Sequence, residues 1–288
     1  MCIGPGGETK CIFETSTPYQ FEVVLGDLDK VYVHFQGGGA CWDELSTDIT
    51  LCTTDASPYG AVGIFDRKNP NNKYANYTII QALYCSGDVW GGNITQPYTH
   101  RGGSVVQVGA YNAEATISYL AQQQAAGFLA PTLSELVIGG DSAGSIGAQL
   151  WGTFVLDALK WDKAAILPDS YACVFPEGSV GPLVKSLGAC NTNWIPQSLL
   201  PSCLNETLDF QALNNYFLGL YPTIPRGFIQ SKTDITQESF YVAVGFTYAP
   251  GSSTLHTNTV FYNYILLTGI ILRCRGCCDY AYRVLQGC

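Results

Sequence analysis

The segment Leu136-Val137-Ile138-Gly139-Gly140-Asp141-Ser142-Ala143-Gly144-Ser145 sets a serine between two glycines, after an apolar run and ahead of a helical pattern. A strand that turns sharply into a helix forces the central residue into a strained conformation, and the flanking residues must be small for the two backbones to approach. Gly140 and Gly144 meet that need, and a hydroxyl presented this way is a nucleophile for acyl transfer. The bare pattern is expected by chance roughly 0.2 times in a chain this rich in glycine and serine, so its placement between strand and helix does the discriminating. The competing reading is a glycine-rich turn that cradles a phosphate at a helix N-terminus.

An acyl transfer needs donors for the developing oxyanion. In this topology one is the N–H after the nucleophile, here Ala143, and another comes from a glycine-rich loop after an early strand. Val31-Tyr32-Val33-His34-Phe35-Gln36-Gly37-Gly38-Gly39-Ala40-Cys41-Trp42 is such a strand and loop, with Gly38 and Gly39 as candidates. The base must be one of His34, His100 and His256. The order nucleophile, acid, base selects His256. His34 lies within the apolar strand and reads as a hydrogen-bonded core residue, whereas His100 is left open between a solvated loop residue and a substrate contact. Of the acids between serine and base, Asp234 is best placed, because it follows residues 227–233, which read as a late strand, and catalytic groups of α/β sheets sit at the carboxyl ends of strands. The plainer alternative is a surface-loop aspartate.

The elements expected to hold these groups are strands at 21–25, 31–35, 77–83, 104–108 and 136–139, alternating with helical stretches at 112–126 and 145–159. Several strands are apolar on both faces, as in a parallel sheet covered on both sides. The pattern predicts an α/β fold, a mostly parallel central sheet flanked by helices. No linker or repeat divides residues 1–288, so one domain is expected, with an irregular insertion at about 169–225 that would suit a lid. With 47% apolar and 13% charged residues, 288 residues can bury a sizeable core. The net charge of −9, without a basic run, argues against nucleic acid. The longest nearly uncharged apolar stretch, residues 260–272, falls short of the roughly 20 residues that a spanning helix needs.

Twelve cysteines point to an oxidising, secretory environment, with which the sequons at Asn76, Asn93 and Asn205 agree. Met1 leads directly into Cys2-Ile3-Gly4-Pro5 with no basic and apolar leader, so the chain is expected to be a trimmed form or an incomplete gene product. Sequence proximity suggests Cys2 with Cys11 and Cys41 with Cys52, with Cys173, Cys190 and Cys203 stapling the insertion and Cys85 a buried free thiol. Cys274-Arg275-Gly276-Cys277 lacks a second pair or nearby histidine, so zinc is not expected.

Taken in order, these residues resemble the pectin acetylesterase and Notum family of α/β-hydrolase carboxylesterases. The resemblance runs through Thr17-Pro18-Tyr19, Phe35-Gln36-Gly37-Gly38-Gly39-Ala40-Cys41-Trp42-Asp43, Tyr84-Cys85-Ser86-Gly87-Asp88-Val89, the elbow around Ser142, Ser231-Lys232-Thr233-Asp234-Ile235-Thr236-Gln237 and His256-Thr257. It implies Ser142 as nucleophile, Asp234 as orienting acid, His256 as base and an oxyanion hole from Gly38, Gly39 and Ala143, with no metal or organic cofactor. Two departures are Asp141, where many members have Cys, and the Cys-rich tail after Leu272. The implied activity is a secreted, monomeric serine carboxylesterase acting on acetyl esters of a cell-wall polysaccharide such as pectin. The alternatives are removal of a lipid acyl group from a protein, and a non-catalytic module that binds glycans or a protein. If the substrate were polyanionic, Arg101, Lys185, Arg226 and Lys232 would be expected near the site.

Overall fold

The computed structural model describes residues 1–171, 174–231 and 234–250. Its strands are β1 (Cys2–Ile3), β2 (Phe21–Val24), β3 (Asp27–Phe35), β4 (Tyr77–Ala82), β5 (Ile94–His100), β6 (Gly103–Gln107), β7 (Glu135–Asp141) and β8 (Ala164–Asp169). The helices are α1 (Glu44–Asp48), α2 (Gly109–Ala125), α3 (Ala143–Ala158), α4 (Val180–Ser186), α5 (Leu200–Leu204), α6 (Phe210–Leu220) and α7 (Ile235–Tyr248).

Six strands form one sheet in the order β1-β2-β4-β3-β7-β8. The pairs β4–β3, β3–β7 and β7–β8 are parallel, while β1 and β2 add an antiparallel edge. Every residue of β4 and the run from Val31 to Phe35 in β3 are buried, which is why these strands carry no alternation of polar and apolar residues. Beyond β8 the chain continues the sheet through isolated parallel bridges of Ile166 with Arg226 and Asp169 with Ile229; only Ile229 lies within the expected late strand at 227–233, whose described residues form no regular strand.

Helix α3 lies close against the sheet because its glycines allow it. A Cβ on Gly147 would stand 2.5 Å from the Trp90 ring, and one on Gly152 would stand 2.8 Å from Ile166. Thirteen of its sixteen residues are buried, in the main core with Phe35, Ile138 and Ile166.

Several expectations are corrected. Residues 104–108 do form a strand, β6, but it pairs with β5 in a separate two-stranded sheet. Strand β8 went unnoticed because Pro168 breaks its pattern; Pro168 falls between the two isolated bridges on the strand's far side, to Arg226 and Ile229, where no continuous ladder needs its missing N–H. The insertion holds α4 and α5, which its composition does not suggest, while α6 forms at the helical patch the sequence shows near residues 210–218 and the disulfide Cys190–Cys203 staples the region as expected. Cys41–Cys52 forms as expected. Cys11 pairs with Cys85, 74 residues away, rather than with Cys2, and Cys85 is therefore not a free thiol. The Ile12 N–H donates to the Cys85 carbonyl at 2.9 Å, which brings the two cysteines side by side, while Cys2 sits exposed on the edge strand β1. Cys173 and the tail cysteines lie outside the described residues. Among the described residues no helix is long and apolar enough to cross a membrane, and the stretch 260–272 lies outside them.

Candidate active site

Ser142 occupies the junction of β7 and α3 with φ 53° and ψ −121°, a conformation that favours glycine. Its neighbours show why the turn requires glycines. A Cβ on Gly140 would lie 2.1 Å from the Gly144 carbonyl oxygen, and one on Gly144 would lie 1.9 Å from the Phe35 carbonyl oxygen. The elbow is pinned by the Ser142 N–H, which donates to the Asp169 carbonyl at 2.9 Å, and by the Ser145 N–H, which donates to the Ser142 carbonyl at 2.9 Å.

The glycine loop after β3 is held onto the segment that follows α1. Thr53 N–H donates to the Gly38 carbonyl at 2.7 Å, Ala40 N–H donates to the Leu51 carbonyl at 3.1 Å, and the Cys41–Cys52 disulfide closes the same turn. Gly38 and Gly39 have φ of 152° and 72°, and a Cβ on Gly39 would stand 2.0 Å from the Leu51 oxygen, so no other residue fits. Among the described residues the N–H groups of Gly39 and Ala143 donate to no acceptor. Ala143 is the first residue of α3, where the helix dipole is positive.

Ser142, Ala143, Gly39 and Asp234 all border one cavity of about 310 Å³. Gly38 is not on its wall. Asp234 is the N-cap of α7. Its two carboxylate oxygens are both held by Gln237, one accepting from the backbone N–H at 3.0 Å and the other from the side-chain Nε2 at 2.8 Å. Gln237 Nε2 also donates to the Ser170 carbonyl at 2.8 Å, tying α7 to the end of β8. His256, Lys232 and Thr233 lie outside the described residues.

The other two histidines are placed elsewhere. His34 is buried, 3.0 Å from the Asp141 carboxylate, in agreement with a hydrogen-bonded core residue. His100 stacks on Phe13, pairs with Asp48 at 3.1 Å and does not border the cavity. None of Arg101, Lys185 and Arg226 borders it either. Lys185 pairs with Glu206, and Arg226 is buried with a bond to the Phe217 carbonyl, its pKa lowered to about 10 by burial.

Sequence reasoning did not anticipate the rest of the wall, which is strongly apolar. Phe175 and Leu187 of the insertion, Leu183 of α4, and Phe240 and Val244 of α7 close it opposite Trp42 and Ile146. Trp42, Leu183, Leu187 and Val244 form a small apolar cluster of their own. The end of α7 is fastened there, with Trp42 Nε1 donating to Thr247 Oγ1 at 3.1 Å and Tyr248 bonded to Ser186 at 2.7 Å. The signal lay in the period of α7, but the residues it meets, Leu183, Leu187 and Trp42, come from segments far earlier in the chain, and periodicity says nothing about partners.

No protein-family model matches the chain, and no curated protein does. Among solved structures it is similar to two crystal forms of the Wnt deacylase Notum from Drosophila. The first has a TM-score of 0.56 at 17% identity, covering 85% of this chain and 79% of that one. The second has a TM-score of 0.52 at 20% identity, covering 84% and 78%. At this identity the likeness establishes the architecture, an α/β-hydrolase fold with a mostly parallel sheet.

Proposed function

We propose that this chain is a serine carboxylesterase whose acyl group is a medium-length or longer apolar chain. Ser142 is the nucleophile, His256 the base, Asp234 the acid that orients it, and the N–H groups of Gly39 and Ala143, with Gly38 shaping the loop, hold the oxyanion. His256 takes the Ser142 proton as Oγ attacks the ester carbonyl. The tetrahedral intermediate collapses as the protonated His256 gives its proton to the leaving alcohol, and water then hydrolyses the acyl-enzyme by the same route.

The observation that carries this reading is the apolar cavity beside Ser142. Its volume of about 310 Å³ corresponds, at about 30 Å³ per water and a similar size per methylene, to on the order of ten carbons. An acetyl group would leave most of that space unfilled. The absence of Arg101, Lys185 and Arg226 from the wall gives no added support to a polyanionic pectin substrate. Relation in fold to a protein described as a Wnt deacylase agrees with removal of an acyl group. Three disulfides among the described residues support action in an oxidising, extracellular setting.

The test is turnover of p-nitrophenyl esters of two, four, eight and sixteen carbons by the wild-type protein and Ser142→Ala. A maximum at eight or more carbons, lost in the variant, is expected. A maximum at two carbons overturns the acyl-length assignment and restores the acetylesterase reading. No turnover of any ester points instead to a binding module.

A further inference from the structure

Asp141 immediately precedes the proposed nucleophile, yet it has no part in the acyl-transfer scheme and does not border the cavity. Its carboxylate is nevertheless the meeting point of three chain segments. Oδ1 accepts from His34 Nε2 on β3 at 3.0 Å, and Oδ2 accepts from the Tyr59 hydroxyl, in the long loop before β4, at 2.9 Å. The third segment is the glycine loop itself. A Cβ on Gly37 would stand 2.4 Å from the Asp141 carbonyl oxygen, 2.7 Å from Oδ2 and 3.0 Å from Ser142 Cβ, so the loop lies directly on the elbow.

The surroundings fix this arrangement further. Gln36 Nε2 donates to the Ser57 carbonyl at 2.8 Å, tying the Tyr59 loop to the residue before Gly37. The His34 ring is boxed by Phe65, with centroids 5.3 Å apart and the rings edge to face, and by Tyr59 at 6.0 Å. Burial would raise the Asp141 carboxyl, but bonds from His34, Tyr59 and the Gly37 N–H outweigh it and hold the group below its ordinary value. It is therefore an ionised acceptor for the His34 and Tyr59 donors, with the Gly37 backbone packed beside it.

We propose that Asp141 is a positioning residue that couples the nucleophile elbow to the oxyanion loop, its carboxylate holding Gly37, and through Gly37 the N–H of Gly39, at the spacing a tetrahedral oxyanion needs. The proposal rests on the serine-hydrolase reading above. Its logic is geometric: the elbow and the loop come from strands β7 and β3, separated by about 100 residues of chain, and their last paired residues are Gly140 and Phe35. Past that point no ladder bond fixes one to the other. Asp141 and Tyr59 supply the link.

The experiment compares wild type, Asp141→Asn, Tyr59→Phe and the double variant. It measures kcat and KM on an eight-carbon ester and amide hydrogen exchange of peptides covering residues 36–40, β7 and α3. The expected result is a kcat lowered about 10- to 100-fold with KM within about twofold. The double variant should be no worse than the poorer single one, and exchange should rise at 36–40 while β7 and α3 stay protected. Unchanged kcat, unchanged exchange at 36–40, or protection lost equally across β7 and α3 overturns the proposal. Should Asp141→Asn fail to fold, Tyr59→Phe, which removes only one hydroxyl, decides by the same readouts. If wild type turns over no ester, the hydrolase reading fails by itself, and the exchange measurement still decides whether Asp141 and Tyr59 hold the loop.

Discussion

Replacing Ser142 by glycine should make the protein more stable than replacing it by alanine, although both variants lack the proposed nucleophile. Ser142 is held at φ 53° and ψ −121°, where a Cβ is strained whatever its substituent. Such conformations cost about 1–3 kcal/mol. Alanine keeps the Cβ and hence the strain, while glycine removes both. Against this stands the greater freedom of glycine in the unfolded chain, about 0.4–1 kcal/mol. The net advantage of Ser142→Gly over Ser142→Ala is about 1 kcal/mol, or roughly 2–3 °C in unfolding midpoint for a chain of this size. Calorimetry of the two variants side by side measures it, and ester turnover checks that both are inactive. A Ser142→Gly variant equal to or less stable than Ser142→Ala would refute the view that this elbow stores backbone strain.

Gly144→Ala places a methyl carbon 1.9 Å from the Phe35 oxygen and 2.7 Å from the Gln36 carbonyl carbon, both rigid backbone. It should cost about 3 kcal/mol or more, read as a lower urea midpoint. Gln237→Leu removes the Nε2 bond to Asp234, a charge-assisted bond of about 1.5–3 kcal/mol, and should lower kcat about tenfold to a hundredfold with little change in KM. Unchanged turnover would separate Asp234 from the reaction. Because the folded Asp141 carboxyl titrates below its ordinary value, its stabilisation is complete above the unfolded carboxylate pKa of about 3.9 and is lost as pH falls through the folded value. Wild type and Asp141→Asn should therefore differ in unfolding midpoint at pH 6 and converge toward pH 2. A difference that persists at pH 2 would count against an ionised Asp141.

The elbow was legible in the sequence because its cause is local. Gly140 and Gly144 lie within two residues of Ser142, and the strand before and the helix after have their own periods, so the whole turn is written in ten consecutive positions. The three glycines after β3 were legible for the same reason, and so were the central strands, whose burial on both faces makes them mostly apolar, without a polar face. What the tertiary structure decided is which distant segments meet. Cys11 finds Cys85 because a backbone bond from Ile12 aligns them, and no spacing rule reports that. β6 leaves the main sheet because β5, which does not read as a strand, pairs with it. The apolar wall built from α4, α7 and Trp42 likewise depends on how an insertion folds back over the sheet's end. Local sterics fix a turn from its own residues, but the size of a cavity is set by the packing of segments that no sequence window contains together, so the sequence located the serine and the fold set the space beside it.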